Sequence, residues 1–151
     1  MHPEPRPPLS PSLPLRILLL CAAFLLAACS PPPYTDVDNA GLRQLLQDGV
    51  PLYDVRRPEE WRQTGLVGGS RPLTWVDGAG RPTAEFFATF LRDVPRDQPV
   101  AVICRTGNRT DQLARELMEK HGYTRVYNVT RGITGWLADG QPVVRPRSPV
   151  R

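Results

Sequence analysis

Short apolar runs alternate with segments of helical periodicity through the middle of the chain. The run PVAVIC is almost entirely apolar, which is typical of a strand buried on both faces of a parallel sheet. We predict strands in VPLYDV, PVAVIC and RVYNV, and a glycine-broken loop or short strand in LVGGSRPL. Helical spacing predicts helices in VDNAGLRQLLQDG, RPEEWRQTG, TAEFFATFLRDV, RTDQLARELMEKHG and GITGWLADG. This alternation predicts an α/β domain of three layers, with a mostly parallel central sheet and helices on both faces.

The predicted helices have recognisable ends and apolar faces. Gly49 is a natural stop for the first helix, and Thr83 is the predicted cap of the third. Residues at helical spacing form the predicted apolar faces of the first, third and fourth helices: Ala40, Leu42, Leu45 and Leu46; Phe86, Phe87, Phe90 and Leu91; and Leu113, Leu117 and Met118.

The N-terminal segment has the character of an export signal. Twelve uncharged residues, ILLLCAAFLLAA, follow Arg16 directly. A membrane-spanning helix needs about 20 apolar residues, so this run is typical of a secretory signal instead. The sequence Leu26-Ala27-Ala28-Cys29 resembles the lipobox of bacterial lipoproteins, which implies cleavage before Cys29 and lipidation of its thiol. A signal-anchor helix and an ordinary signal cut near Ala28 are the alternatives.

The signal divides the chain into four predicted parts. These are a lipoprotein signal peptide at 1–28, a lipidated cysteine with a proline-rich spacer at 29–36, a domain at 37–145, and a flexible tail at 146–151. The predicted location is the bacterial cell envelope, with the lipid holding the protein to a membrane. Ser30 follows the lipidated cysteine, which favours the periplasmic face of the outer membrane.

Composition and charge restrict the classes of partner. The 151 residues include 19 Lys and Arg against 15 Asp and Glu, and removal of residues 1–28 leaves a net charge of about +3. The arginines are scattered and lack interleaved aromatic residues, which argues against a nucleic-acid-binding surface. Small anions are the partners that this charge favours.

Cysteine usage points to one reactive position. Cys21 lies in the predicted signal and Cys29 is the predicted lipid carrier, so Cys104 is the only free thiol left in the mature domain. It ends the strand PVAVIC and begins the loop CRTGNRT. Such a loop can turn its amides toward an anion, Gly107 permits a close backbone approach, and two arginines add positive charge. The loop therefore favours a nucleophilic thiolate over a thiol, although a lone buried cysteine also occurs as a small core residue.

Three motifs in order give the chain a family resemblance. CRTGNR, at 104–109, has the pattern C-R-x-G-x-R, and YDVRRPEEW contains the pattern D-V-R-x-x-x-E-aromatic. GITGWLADGQPV matches G-x-x-x-W…G-x-P-V. Together they extend over roughly residues 37–145, and the domain resembles the single-domain rhodanese-like sulfurtransferases.

The resemblance implies a reaction. The Cys104 thiolate would take sulfane sulfur from a small anionic donor such as thiosulfate, become a persulfide, and pass the sulfur to a thiol or to cyanide, without a metal or other cofactor. The residues that the resemblance assigns to substrate binding are Arg105, Thr106, Gly107, Asn108 and Arg109. The motif residues Asp54, Arg56 and Glu60 are predicted to form a supporting salt-bridge network. The simpler interpretation of these residues is a strand end and a capped helix face, and it is the preferred one for Glu60. Trp61 and Trp136 are predicted to be core or pocket-wall residues.

Two departures from the family pattern bear on acceptor preference. Leu66 stands where many relatives have a histidine, and Arg131 stands where they often have a glycine. In the family both positions lie near the mouth of the active site.

Several alternative functions remain open at this stage. A cysteine phosphatase or arsenate reductase uses C-x5-R, but the position of that arginine holds Thr110 here. A cysteine protease needs a histidine base, and the mature chain has only His121, a predicted solvated residue at a helix end. A non-catalytic binding module of the same fold is a further alternative, as is a persulfide carrier that works with a periplasmic thiol protein.

Overall fold

Strands and helices alternate along residues 31–146, the part of the chain that the computed structural model describes. The predicted signal peptide, Cys29 and residues 147–151 of the predicted tail lie outside the described residues. None of the helices within 31–146 has the length and apolar character needed to cross a membrane. The elements in chain order are β1 Thr35–Val37, α1 Asn39–Gln47, β2 Leu52–Asp54, α2 Pro58–Thr64, β3 Leu66–Val67, β4 Arg71–Pro72, α3 Ala84–Asp93, β5 Val100–Ile103, α4 Asn108–His121, β6 Val126–Val129, α5 Gly132–Ala138 and β7 Val143–Val144.

The main sheet has five strands in the order β1-β6-β5-β2-β4, and every pair in it is parallel. The strand β5 lies at its centre, where Val102 pairs with Tyr53 of β2. Since all five strands run the same way, their carboxyl ends meet at one edge. A second sheet consists of β3 and β7, which pair antiparallel through Leu66 and Val144. The predicted α/β fold with a mostly parallel sheet is confirmed.

Alternate residues of β5 face opposite sides of the sheet, which explains why the whole strand is apolar. Val102 and Cys104 pack into one core with Phe90 of α3 and Leu117 of α4. Ala101 and Ile103 pack into a second core with residues of α1 and α5, among them Leu42, Ile133 and Trp136. The helices therefore cover both faces of the sheet and form the predicted three layers.

Three details differ from the sequence-based predictions. The strands β1 and β7 were not predicted, and β1 overlaps the predicted spacer at Thr35 and Asp36. Ala40 is exposed, and Asn39 is the residue beside it that is buried, donating to the carbonyl of Gly135 at 2.9 Å. His121 is half-buried, because its ring stacks on Phe87 with 4.9 Å between the centroids.

Candidate active site

Cys104 lies at the carboxyl edge of the central strand, where a four-residue loop leads into α4. Its side chain is 1% exposed, and its sulfur has two hydrogen-bond partners. The amide of Gly107 donates to Sγ at 3.2 Å, and the hydroxyl of Thr110 lies 3.4 Å from it. These two contacts fix the position of the sulfur at the start of the loop.

The loop carbonyls are held against α5. Ile133 donates its amide to the carbonyl of Cys104 at 2.9 Å, and Thr134 donates to that of Arg105 at 3.1 Å. In a trans peptide the N–H points opposite to the C=O. The amides that follow, those of Arg105 and Thr106, therefore point away from α5. The loop amide that the structure directs at Sγ is that of Gly107, and the wider anion cradle stays a prediction.

Two glycines allow the Cys104 loop to pack directly against the backbone of the segment between β6 and α5. A Cβ on Gly107, which has φ 96°, would lie 2.1 Å from the carbonyl oxygen of Thr130. A Cβ on Gly132, which has φ 52°, would lie 2.5 Å from the carbonyl oxygen of Cys104. Both obstacles are backbone atoms, which cannot rotate aside. Glycine is therefore required at both positions, and the shape of the loop depends on them.

The substitution Gly132→Ala is expected to push the loop off α5. The clash and the left-handed backbone should together cost about 1–3 kcal/mol of stability, and the displaced cradle should slow alkylation of Cys104 by the anion iodoacetate about tenfold. Urea unfolding and mass spectrometry measure the two effects. Gly140→Ala is the matched control, since Gly140 also has a positive φ, of 65°, but a Cβ there meets nothing within 4 Å. Similar losses in both variants would contradict a role for close packing.

Asp54 and Arg56 form a buried network beneath α2. Arg56 Nη2 lies 2.7 Å from Asp54 Oδ2, and neither side chain is exposed by more than 1%. Trp61 donates to Asp54 at 3.0 Å, which ties the helix to the strand end. Arg56 also donates to the hydroxyl of Thr64 at 2.6 Å and to the carbonyl of Gly65 at 2.8 Å. The structure thus places these residues in hydrogen bonds that support α2 and its C-terminal end.

Glu60 connects this network to Arg109 in the first turn of α4. Its carboxylate accepts from the Arg57 amide at 3.1 Å, as an N-terminal capping residue of α2. It also accepts from both terminal nitrogens of Arg109, at 2.9 and 2.5 Å. The simpler interpretation of Glu60 as a capped helix face is therefore incomplete, because the same carboxylate also orients an arginine of the predicted substrate-binding set.

The two arginines of the CRTGNRT segment, Arg105 and Arg109, differ in whether a carboxylate pairs with them. Both terminal nitrogens of Arg109 pair with Glu60, and the Glu60 hydrogen bond and charge raise the pKa of Arg109 further above its usual value. Arg105 is exposed, and no carboxylate within 31–146 forms a salt bridge with it. Arg105 is therefore the loop arginine whose charge is free to attract an anion.

The ionisation of Glu60 should make the stability of the domain depend on pH. Burial raises the pKa of Glu60, but hydrogen bonds from Arg109 and the Arg57 amide, with the charges of both arginines, outweigh it and lower the pKa from 4.5 to about 2. Since the folded pKa is depressed, this stabilisation is fully present above pH 4.5 and is lost as the pH falls toward 2. Glu60→Gln is expected to cost about 1–2 kcal/mol at pH 7 and progressively less below pH 4.5.

Urea unfolding between pH 2.5 and 7 measures this difference. Glu59→Gln is the matched control, because Glu59 pairs with Arg57 at 3.0 Å but is mostly exposed. Exposed pairs contribute little, so we expect a change of less than about 0.5 kcal/mol there. A Glu60→Gln deficit that stays constant through pH 4.5 to 2.5 would argue against the ion pair as its cause.

Thr110 is the site residue that the sequence analysis missed. Its hydroxyl lies 3.4 Å from Sγ and 3.0 Å from the carbonyl of Gly107, and its side chain is fully buried beneath the loop. The feature of the sequence that could have indicated this role is a hydroxyl residue in the first turn of the helix that follows the loop. This position would hold the arginine of a C-x5-R phosphatase or arsenate reductase. The arginine of the C-x5-R pattern is therefore replaced by a buried threonine, and Arg109, one position earlier, is paired with Glu60.

The other residues singled out in the sequence differ in whether they are exposed, buried or paired. Thr106 is exposed on the loop, and Asn108 is exposed at the first position of α4. Trp61 and Trp136 are core residues, as predicted. Leu66 is buried in β3, and Arg131 pairs with Asp139 at 3.1 Å. Within 31–146, no group of three or more His, Cys, Asp or Glu side chains is placed to hold a metal ion.

Comparison with known proteins agrees with this site. The family model of the rhodanese-like domain matches residues 38–139. A sulfurtransferase of Allochromatium vinosum is 32% identical over 113 residues, covering 74% of this chain and 95% of that protein. A mitochondrial thiosulfate sulfurtransferase of Saccharomyces cerevisiae is 31% identical over 121 residues, covering 78% and 80%. A crystal structure of an M. tuberculosis protein, 29% identical, superposes with a TM-score of 0.63 over 75% of this chain and 99% of that one. The chain belongs to the rhodanese-like domain family, whose members include these sulfurtransferases.

Proposed function

We propose that this protein is a sulfurtransferase that moves sulfane sulfur from thiosulfate, or a similar anionic donor, through a Cys104 persulfide to a thiol or cyanide acceptor. The observation that carries the proposal is the environment of Sγ, which accepts from the Gly107 amide at 3.2 Å at the carboxyl edge of the sheet. The yeast relative is named as a thiosulfate sulfurtransferase, which supports the choice of donor.

In the first half of the reaction the thiolate attacks the outer sulfur of thiosulfate. A bond forms between Sγ and that sulfur, the S–S bond of thiosulfate breaks, and sulfite leaves with the electron pair. The exposed charge of Arg105 attracts the dianionic donor and stabilises the leaving sulfite. The inward amides of the loop then hold the outer sulfur of the persulfide, which carries the negative charge.

In the second half a nucleophile attacks that outer sulfur. The bond between it and Sγ breaks, and the electron pair returns to Cys104 as a thiolate. Cyanide becomes thiocyanate, and a thiolate becomes a persulfide. Each half transfers one sulfur between two nucleophiles, so the cycle consumes no separate oxidant or reductant.

Intact mass spectrometry tests the proposal. The domain incubated with thiosulfate should gain the mass of one sulfur atom, localised to the peptide that contains Cys104, and added cyanide should remove it. The same protein alkylated at Cys104 beforehand should gain nothing. Absence of the gain, or its location on another residue, would refute the persulfide mechanism.

We further propose that lipidated Cys29 tethers the domain to the bacterial cell envelope, on the periplasmic face of the outer membrane. The support comes from the lipobox-like Leu26-Ala27-Ala28-Cys29 and from Ser30 after it. Cys29→Ser should block processing or release the protein from the membrane fraction. Unchanged membrane retention would instead favour a signal-anchor helix.

A further inference from the structure

A groove runs from the catalytic loop across the surface between α2 and α5. Its first part is a hollow of about 270 Å³ lined by Arg105, Gln63 and Thr64 and by residues of α5. Its second part is a hollow of about 480 Å³, also lined by Gln63 and Thr64, and by β7 with the residues after it. Because the two hollows share these residues, they form one surface, which we call the α2–α5 groove.

The exposed large apolar side chains of the described residues all line this groove. Within 31–146, the large apolar side chains most exposed to solvent are those of Leu137, Val143 and Val144, at 38%, 37% and 50%. Leu137 lines the first hollow and the two valines line the second. Clustered exposed apolar residues with a polar rim are typical of protein contact sites.

The rim of the groove is positively charged. Arg62, Arg105 and Arg145 line it, and none of them forms a salt bridge within the described residues. Glu60 is the one carboxylate in the described lining, and it already pairs with Arg109. The unneutralised arginines therefore favour an acidic occupant.

The strand β7, which lines the second hollow, has one backbone edge without a partner strand in the part of the chain that the structure describes. In the described residues β7 pairs only with β3, so its other edge has no strand beside it. An extended segment of a partner can add to such an edge through main-chain hydrogen bonds. A small acceptor such as cyanide needs neither this edge nor the apolar side chains, whereas a protein segment uses both.

We propose, building on the sulfurtransferase function above, that the sulfur acceptor is a protein that docks an acidic surface in the α2–α5 groove and presents a cysteine to Cys104. Its thiolate attacks the outer sulfur of the persulfide, the Sγ–S bond breaks, and Cys104 leaves as a thiolate. An anionic membrane would match the same charges. The two hollows are concave, and a bilayer surface is nearly flat on this scale, so a protein segment fits them better than a membrane does.

Binding of synthetic peptides tests the docking surface apart from the chemistry. The probes are two labelled 14-residue peptides with a central serine, one rich in Glu and Asp and the other with lysines in their place. Fluorescence anisotropy should show at least tenfold tighter binding of the acidic peptide. The double substitution Arg62→Glu/Arg145→Glu should remove that preference, while Arg43→Glu/Arg92→Glu, with the same change in net charge outside the groove, should weaken binding less than twofold.

Sulfur transfer then tests the acceptor role. Peptides with cysteine at the centre are added to the thiosulfate-loaded enzyme, and their persulfides are followed by mass spectrometry. The acidic peptide should react at least tenfold faster, and the groove variant should lose this advantage while keeping its thiosulfate–cyanide turnover within twofold.

The outcomes separate the two proposals. Equal binding of the two peptides, or equal losses in the groove and control variants, would overturn the docking surface even if turnover with cyanide is normal. Binding to phosphatidylglycerol vesicles but not to the acidic peptide would overturn it in favour of a membrane-facing surface. Failure to load sulfur from thiosulfate would contradict the proposed function, and the binding arm would then decide the docking surface alone.

Discussion

Replacing Cys104 with serine is expected to abolish sulfur transfer while the fold is retained. A serine hydroxyl is not ionised at neutral pH, and oxygen cannot carry the sulfane sulfur as a persulfide. Turnover should therefore fall at least about 1,000-fold. The change removes little volume, and the serine oxygen can still accept from Gly107 and Thr110, as Sγ does now. The expected loss of stability is about 1 kcal/mol or less.

Thiocyanate formation from thiosulfate and cyanide measures the first effect, and urea unfolding measures the second. Thr124→Ser, a similarly conservative change in an exposed residue just before β6, is the matched control and should retain full turnover. Turnover in Cys104→Ser would show that the sulfur travels by another route. A wild type that is itself inactive with every donor and acceptor would favour the non-catalytic binding module over the enzyme.

Short elements at the sheet edges show where prediction from the sequence ends. The strand β5 is predictable because its apolar run reports burial on both faces, and α3 is predictable because Phe86 and Phe90 repeat at helical spacing. The edge strand β1 has three residues and only one apolar side chain, and it exists because Thr35 to Val37 pair with β6, about 90 residues away in sequence. Such pairing leaves no local periodicity to detect.

The same distinction applies to the site. The anion cradle is contiguous in the sequence, so Cys104, Gly107 and the loop arginines were predictable together. The Glu60–Arg109 ion pair joins residues 49 positions apart, and only the packing of α2 against the loop brings them together. The close approach of Gly132 to the Cys104 carbonyl likewise depends on the position of α5. Motif residues can therefore be recognised from sequence, but their hydrogen-bond partners follow from the tertiary structure.

The second large effect is expected at the buried pair beneath α2, where Asp54→Asn should destabilise the domain by about 3–5 kcal/mol. The substitution keeps the shape of the side chain but removes its charge, which leaves the Arg56 guanidinium uncompensated at 1% exposure. Domains of this size are stable by about 5–15 kcal/mol, so the loss is a large fraction of the total. Because Trp61 and Thr64 of α2 bond to this pair, the helix that carries Glu60 should loosen as well.

Urea unfolding compares this variant with Asp93→Asn, the same chemical change in the exposed Arg92–Asp93 pair, where the two side chains are 69% and 39% exposed. The exposed pair should change stability by less than about 0.5 kcal/mol. If Asp54→Asn does not fold, Asp54→Asn/Arg56→Met should recover part of the loss, because the uncompensated charge is then gone. Equal effects at the two aspartates, or no recovery in the double variant, would mean that the buried charge is not what makes Asp54 necessary.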